Sequence, residues 1–263
     1  MRGNVGASPA LEAENDYFPY TQNSLSAEVS AGFQPTFWQE IKLGGSVQSG
    51  ETSLTPIHSI DGFDYNRAGL FARYELDTQD NKTLPTKGFK VKLSYLLSDD
   101  HYIAPQAVTS VDTSKTQEWN AEIFSTQTYG RHTFSGTMQY SLIDTHPNNI
   151  AINPARLGGF LNLSGIPKNS LMGKEKAYSG LTYRYRWFDN DFGLFHSPVY
   201  LGLSAEYGGA WQDTELSINK APMYKSSALY AGIDSPIGPV ILSYARVETG
   251  LSAVYLIIGS SFP

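Results

Sequence analysis

Cysteine is absent from the chain, which removes thiol chemistry, disulfides and cysteine-held metals from consideration. No apolar run approaches the ~18 residues that a membrane-crossing helix needs, so any crossing must be made by strands. Charged residues make up only 17% of the chain, and the net charge is −6 with no basic block, which argues against nucleic acid as a partner. Met1-Arg2-Gly3-Asn4 is not followed by the apolar core of a signal peptide, so an exported protein is expected to be present here either as its mature chain or as a recombinantly expressed piece. Gly6-Ala7-Ser8-Pro9-Ala10 and Gly44-Gly45-Ser46-Val47-Gln48 both lack the second glycine of a hydrolase nucleophile elbow, and Asp61-Gly62 is a common turn pair. His58, His101, His132, His146 and His196 are scattered without metal-ligand spacing. The expectation is a protein that is not an enzyme and uses no cofactor and no resident metal. Asp99, Asp100 and Asp112 fall in one expected outer loop and are candidate Ca²⁺ ligands, set against the simpler explanation of solvated loop charges.

What is present is alternation. Tyrosine supplies 17 residues, aromatics 13% and glycine 24 residues. Amphipathic rings of this kind collect at the two interfaces of a membrane-spanning barrel. A barrel strand carries lipid-facing and lumen-facing residues at alternate positions over about ten residues. Phe89, Val91, Leu93, Tyr95 and Leu97 alternate with Lys90, Lys92, Ser94 and Leu96; Leu181, Tyr183, Tyr185 and Trp187 alternate with Gly180, Thr182, Arg184 and Arg186. Residues 133–142 behave alike, as do 24–33, 37–48, 65–76, 118–128, 198–210, 226–233, 238–247 and 251–262. A weaker segment at 52–60 contains Pro56, which is disfavoured in a paired strand. With it the chain has about twelve strands.

A soluble sandwich also alternates, but its outward face would be charged. Here the polar face is Gly, Ser and Thr with isolated Arg73, Arg184, Arg186, Glu28, Glu40 and Glu75, which are expected to pair across a water-filled lumen. The predicted fold is all-β: an antiparallel transmembrane β-barrel of residues 23–263, preceded by a linker or arm at 1–22. If the first strand runs outward, the connections at 98–117, 143–177 and 211–225 lie outside. Tyr129-Gly130-Arg131 and 234–238 then lie on the periplasmic side, while the short 34–36 link and the long 78–88 link break the rule.

Three stretches resemble the superfamily of outer-membrane barrels that includes the assembly insertase and the two-partner-secretion translocators. They are the link Asp77–Gly88 with its D-T-x-D-N pattern, the stretch Leu157–Ile166 followed by Leu171-Met172-Gly173, and Asp234–Val240 leading to Leu242-Ser243-Tyr244. The second is similar to the family's sixth outer loop, which folds back into the lumen. Where that loop has an arginine pairing with a wall aspartate, this chain has Ser164, within Leu163-Ser164-Gly165, and a wall bearing Glu206 and Gly208. Leu-Ser-Gly with Glu-x-Gly looks more like the barrel of patatin-like phospholipase autotransporters. The substitution leaves Ser164 an ordinary hydrogen bond to Glu206 in place of a charge-assisted pair. The last strand, through Gly259 and Phe262, resembles the signal read by the barrel assembly machinery.

The resemblance implies a bacterial outer-membrane translocator or pore barrel, the membrane unit of a patatin-type secretion system. Its expected partners are outer-membrane lipid or lipopolysaccharide, the assembly machinery, a passenger polypeptide and further copies of the chain. It also implies a fuller barrel, with this chain starting near the fifth family strand. Two alternatives stand beside it: a plugged structural barrel within a larger envelope complex, and an outer-membrane lipid-modifying enzyme.

Overall fold

Alternating residues build long antiparallel strands in the computed structural model, which describes residues 6–9, 17–54, 63–103, 113–146, 149–191, 196–235 and 238–259. The strands are β1 (Gly6–Pro9), β2 (Tyr17–Thr36), β3 (Gln39–Leu54), β4 (Phe63–Asp77), β5 (Lys87–Ile103), β6 (Thr113–Tyr129) and β7 (His132–Asp144). They continue with β8 (Ala155–Leu157), β9 (Leu171–Gly173), β10 (Glu175–Asp191), β11 (His196–Trp211), β12 (Tyr224–Ser235), β13 (Gly238–Val247) and β14 (Ser252–Ile258). All but β8 and β9 form one twelve-stranded sheet in chain order, each strand antiparallel to its neighbour, while β8 and β9 pair as a separate small hairpin. No helix in the described residues is long and apolar enough to cross a membrane.

The sheet curls around this hairpin. β9 lies against both β1 and β11, which a flat sheet would hold about 38 Å apart at ordinary strand spacing. Among the described residues β14 pairs only with β13, and the opposite edge is formed by β1 and β2, so a seam of unpaired strand edges remains.

The apolar surface points outward. Val29, Leu70, Leu181, Leu229, Val254 and Leu256 are each at least 65% exposed, an arrangement that water would penalise and acyl chains accept. On β6 the outward Trp119 and Tyr129 bracket Ile123 and stand ten residues apart. That is about 33 Å of strand, and at the usual barrel tilt it gives an apolar band about 25 Å tall. The buried core sits instead in the lumen, between the 145–174 connection and the wall. One cluster joins Leu157, Leu163, Ile166 and Leu171 to Tyr178 and Val247; another joins Phe160 and Leu161 to Tyr230, Ile241 and Ala245. This inside-out distribution decides against the sandwich.

Three expectations change. The 52–60 segment is not a strand of its own: β3 runs on to Leu54, and 55–62 lie outside the described residues. The count of twelve is restored by β1, and β2 begins at Tyr17, so the 1–22 arm is replaced by sheet at both places. Removing one strand from the order reverses the first two. The Phe37-Trp38 turn now lies beside Asp77, whose amide donates to the Trp38 carbonyl at 2.8 Å. The 37–38 and 130–131 turns therefore share one side with the paired ends of β12 and β13 at Ser235 and Gly238, and the misfit at 34–36 disappears.

Candidate functional site: a plugged lumen

The outer connection between β7 and β10 enters the barrel, as the resemblance implied. Its tip turns tightly, with Leu161 and Leu163 at φ of 53° and 73°. Left-handed geometry is costly for leucine, and the turn is held by dense hydrogen bonding. The Glu206 carboxylate on β11 accepts from the amides of Leu163 and Ser164, both at 2.7 Å on Oε2. Its Oε1 accepts from the Ser164 hydroxyl at 2.8 Å and the Ser204 hydroxyl at 2.5 Å. Glu206 is 4% exposed and Ser164 fully buried, so these four donors replace the hydration that a buried carboxylate loses.

Ser164 thus meets Glu206 as expected, and two backbone amides add what the single hydroxyl could not. Gly165 is set at φ 91°, and a side chain there would press on Val247 and the Arg246 backbone. Gly208, two residues along β11, leaves room for Tyr178, because a Cβ would stand 2.8 Å from the Ala177 carbonyl and 3.1 Å from Tyr178. Gly259 closes the inner end of the last strand by donating to the Pro239 carbonyl at 2.9 Å. Phe262 lies outside the described residues.

Several partners went unnoticed in the sequence. Tyr178 donates to the Leu161 carbonyl at 2.7 Å, the Gly165 amide donates to the Tyr255 hydroxyl at 3.2 Å, and the Ser226 hydroxyl bonds the Ser164 carbonyl. Strand parity places Ser204 and Tyr178 on the same face as Glu206, and the register sets Ser226 directly opposite it. Parity was readable; the loop atoms that these groups meet were not.

The plug also reaches the other half of the wall. Gln22 on β2 donates to the Ile152 carbonyl at 3.2 Å and accepts from Arg156 at 3.2 Å, while Tyr102 on β5 donates to the Ile150 carbonyl at 3.0 Å. Close by lies a buried ionic cluster. Arg67 is bidentate to Asp100, at 2.7 and 2.8 Å, and reaches Glu118 at 2.5 Å. Ser98 and Thr116 donate to the same Asp100 carboxylate. Asp100 is therefore a wall residue of β5 rather than a loop ligand, Asp99 faces the opposite side of that strand, and Asp112 lies outside the described residues. Of the expected lumen charges, Arg73 is bidentate to Glu28 at 2.7 and 2.8 Å, Glu40 pairs with Lys42 at 2.8 Å and Glu75 with Lys90 at 3.1 Å.

The long link between β4 and β5, on the side of the short turns, is a second closure. Asp80 caps it: the Thr86 and Lys87 amides donate to its carboxylate at 2.8 and 3.1 Å, and the Thr86 hydroxyl adds a third bond. Burial works to raise the pKa of this carboxyl, but the hydrogen bonds, led by the Thr86 hydroxyl, hold it below its ordinary range. The link then crosses the mouth. Leu84 is buried beside Tyr200, Tyr230 and Ile241, and Arg184 on β10 donates to the Pro85 carbonyl at 2.9 Å. A polar recess of about 290 Å³ remains against the wall, lined by Arg73, Glu75, Lys92, Glu122, Gln139 and Lys176.

These features define a class: an antiparallel β-barrel of the outer-membrane type with a folded-in outer loop. The chain is similar in fold to the crystal structure of BamA from Haemophilus ducreyi lacking POTRA domains 1-3, with a TM-score of 0.66 at 12% identity. The match covers 96% of this chain and 56% of that one, so the chain spans little more than half of its neighbour's length. A second structure, the beta domain of the Bordetella autotransporter BrkA, is matched over 98% of this chain and 92% of that chain at 13% identity, and its TM-score of 0.40 carries no argument. No family profile and no curated protein sequence matches the chain.

Proposed function

We propose that the protein is a translocator or pore barrel of the bacterial outer membrane, acting by conduit formation and strand pairing at its seam, without covalent catalysis. The observation that carries this is the combination of a seam left unpaired among the described residues with a lumen filled by a folded-in loop rather than by wall side chains. Among the described residues both edges of the seam present free backbone donors and acceptors, which a sheet protein ordinarily hides. A lumen of about twelve strands lies between a side-chain-filled barrel and an open pore, so a passing chain would have to be unfolded.

The finer assignment, to the membrane unit of a patatin-type secretion system, is supported by Ser164 meeting Glu206 where the insertases use an arginine and an aspartate. On this proposal the assembly machinery inserts the barrel and a passenger polypeptide uses it. A patatin domain in the reading frame upstream would sustain the assignment, and an unrelated frame would end it. Locking the seam tests the wider proposal. A disulfide engineered between β2 and β14, in a chain free of other thiols, is expected to stop export of an unfolded polypeptide fused ahead of residue 1. Export at an unchanged rate through the locked, folded barrel would overturn it.

The plugged-scaffold alternative gains from the second closure at the periplasmic mouth, since two anchored segments must move before anything passes. It differs in one outcome: a scaffold remains silent in conductance even when 143–177 are removed.

A further inference from the structure

We infer that the outer face of β6–β12 holds a phosphate-bearing, acylated glycolipid of the lipid A type, gripped at its phosphate by Lys225 and Arg246. The inference rests on the proposed membrane-embedded state of the barrel. The outward surface there is not an even band. Ser125, Gly136, Ser179 and Ala205 are small outward residues that form the floor of an apolar groove of about 730 Å³, with Ile123, Met138, Leu181 and Tyr207 as its walls. A depression in a lipid-facing wall is filled by acyl chain. Chain packing there brings little hydrophobic gain, because bilayer tails are equally apolar; selectivity must come from a polar end.

That end is present at the loop-side rim. Lys225, the second residue of β12, lines the groove and faces outward beside Tyr207. Arg246, on the outward face of β13, pairs across the strands with Ser227, two residues along the same face from Lys225. Neither cation has an ion-pair partner among the described residues. The nearby Glu248 carboxylate accepts the backbone amide of Lys225 at 3.1 Å rather than its ammonium. The outward rim carries acidic groups as well, Glu248 beside this pair, Glu51 on β3, Asp64 on β4 and Asp99 beside Lys115, and among the described residues only at Lys225 and Arg246 do two cations adjoin one carboxylate. Two adjacent unpaired cations above an acyl groove complement a phosphate at the headgroup level. Their place on the side of the long connections selects the outer leaflet, where the phosphorylated lipid is lipid A.

Native mass spectrometry of the full chain, reconstituted with equal amounts of lipid A, phosphatidylglycerol and phosphatidylcholine, tests this. Lipid A is expected to be retained preferentially, and the K225A/R246A variant to lose on the order of tenfold in that retention. The K115A variant, which removes a rim cation outside the groove, is expected to retain it. Equal retention of the three lipids, phosphatidylglycerol held as well as lipid A, unchanged retention by K225A/R246A, or an equal loss in K115A would each overturn the inference. Heat-modifiable migration of each variant confirms that it is folded, and failure of every variant and the parent to enter vesicles would instead strike at the membrane-embedded proposal.

Discussion

The plug meets the two halves of the wall by different chemistry. Against β10–β14 it is held by a buried carboxylate that collects backbone amides, backed by two apolar clusters. Against β2–β6 the wall offers neutral groups, Gln22, Tyr102 and the Gln48–Asn153 amide pair at 3.0 Å, with Arg156 of the plug reaching Gln22, while the wall's own charges Arg67, Asp100 and Glu118 pair with one another. A carboxylate bound to amides fixes the path of the loop backbone whatever the side chains are. Neutral, partly exposed contacts contribute about 1 kcal/mol each and release independently. The part of the plug that faces β2–β5 is therefore the part expected to move first.

Substitutions separate the two halves. Glu206→Ala leaves two buried amides and two hydroxyls without an acceptor, at about 1–3 kcal/mol for each amide. It is expected to destabilise the folded loop by about 4 kcal/mol, read as protease cleavage within 157–171 at low urea. Arg67→Ala strands two buried carboxylates and is expected to cost about 3 kcal/mol of global stability. It should lower the urea midpoint of the barrel while the 157–171 tip stays protected; early cleavage of the tip would show that the halves are coupled. Ser164→Ala removes one of four donors to Glu206 and is expected to cost about 1 kcal/mol in the same cleavage assay, well below Glu206→Ala.

The smallest effect concerns the closure by the 78–86 link and is set by pH. Because Asp80 is held below its ordinary range, its contribution is fully present above the unfolded value of about 4 and is lost as pH falls through the lower folded value. Cleavage of the 78–86 link is expected to rise only in that acidic window, and Asp80→Asn should abolish the dependence.

Period-two patterning made the wall legible because each strand must show one face to lipid and the other to the lumen; Trp119, Ile123 and Tyr129 are outward simply by parity. The meeting of Ser164 with Glu206 was legible through resemblance. The ends of the first strands were not. Around Gln22, Asn23, Glu51 and Thr52 both alternate positions are polar, so alternation fades while backbone pairing continues. The second closure was hidden for another reason: Leu84 and Pro85 sit in a turn-rich link, and only tertiary contact with Arg184 and Tyr230 gives them a role.

Single-channel recording in planar bilayers tests the central claim most directly, by comparing the parent chain with a variant that combines Glu206→Ala with a shortened 78–86 link. The parent is expected to be silent and the variant to open in long, stable steps. Steady openings in the parent, or silence in a variant shown to be folded, would contradict the account.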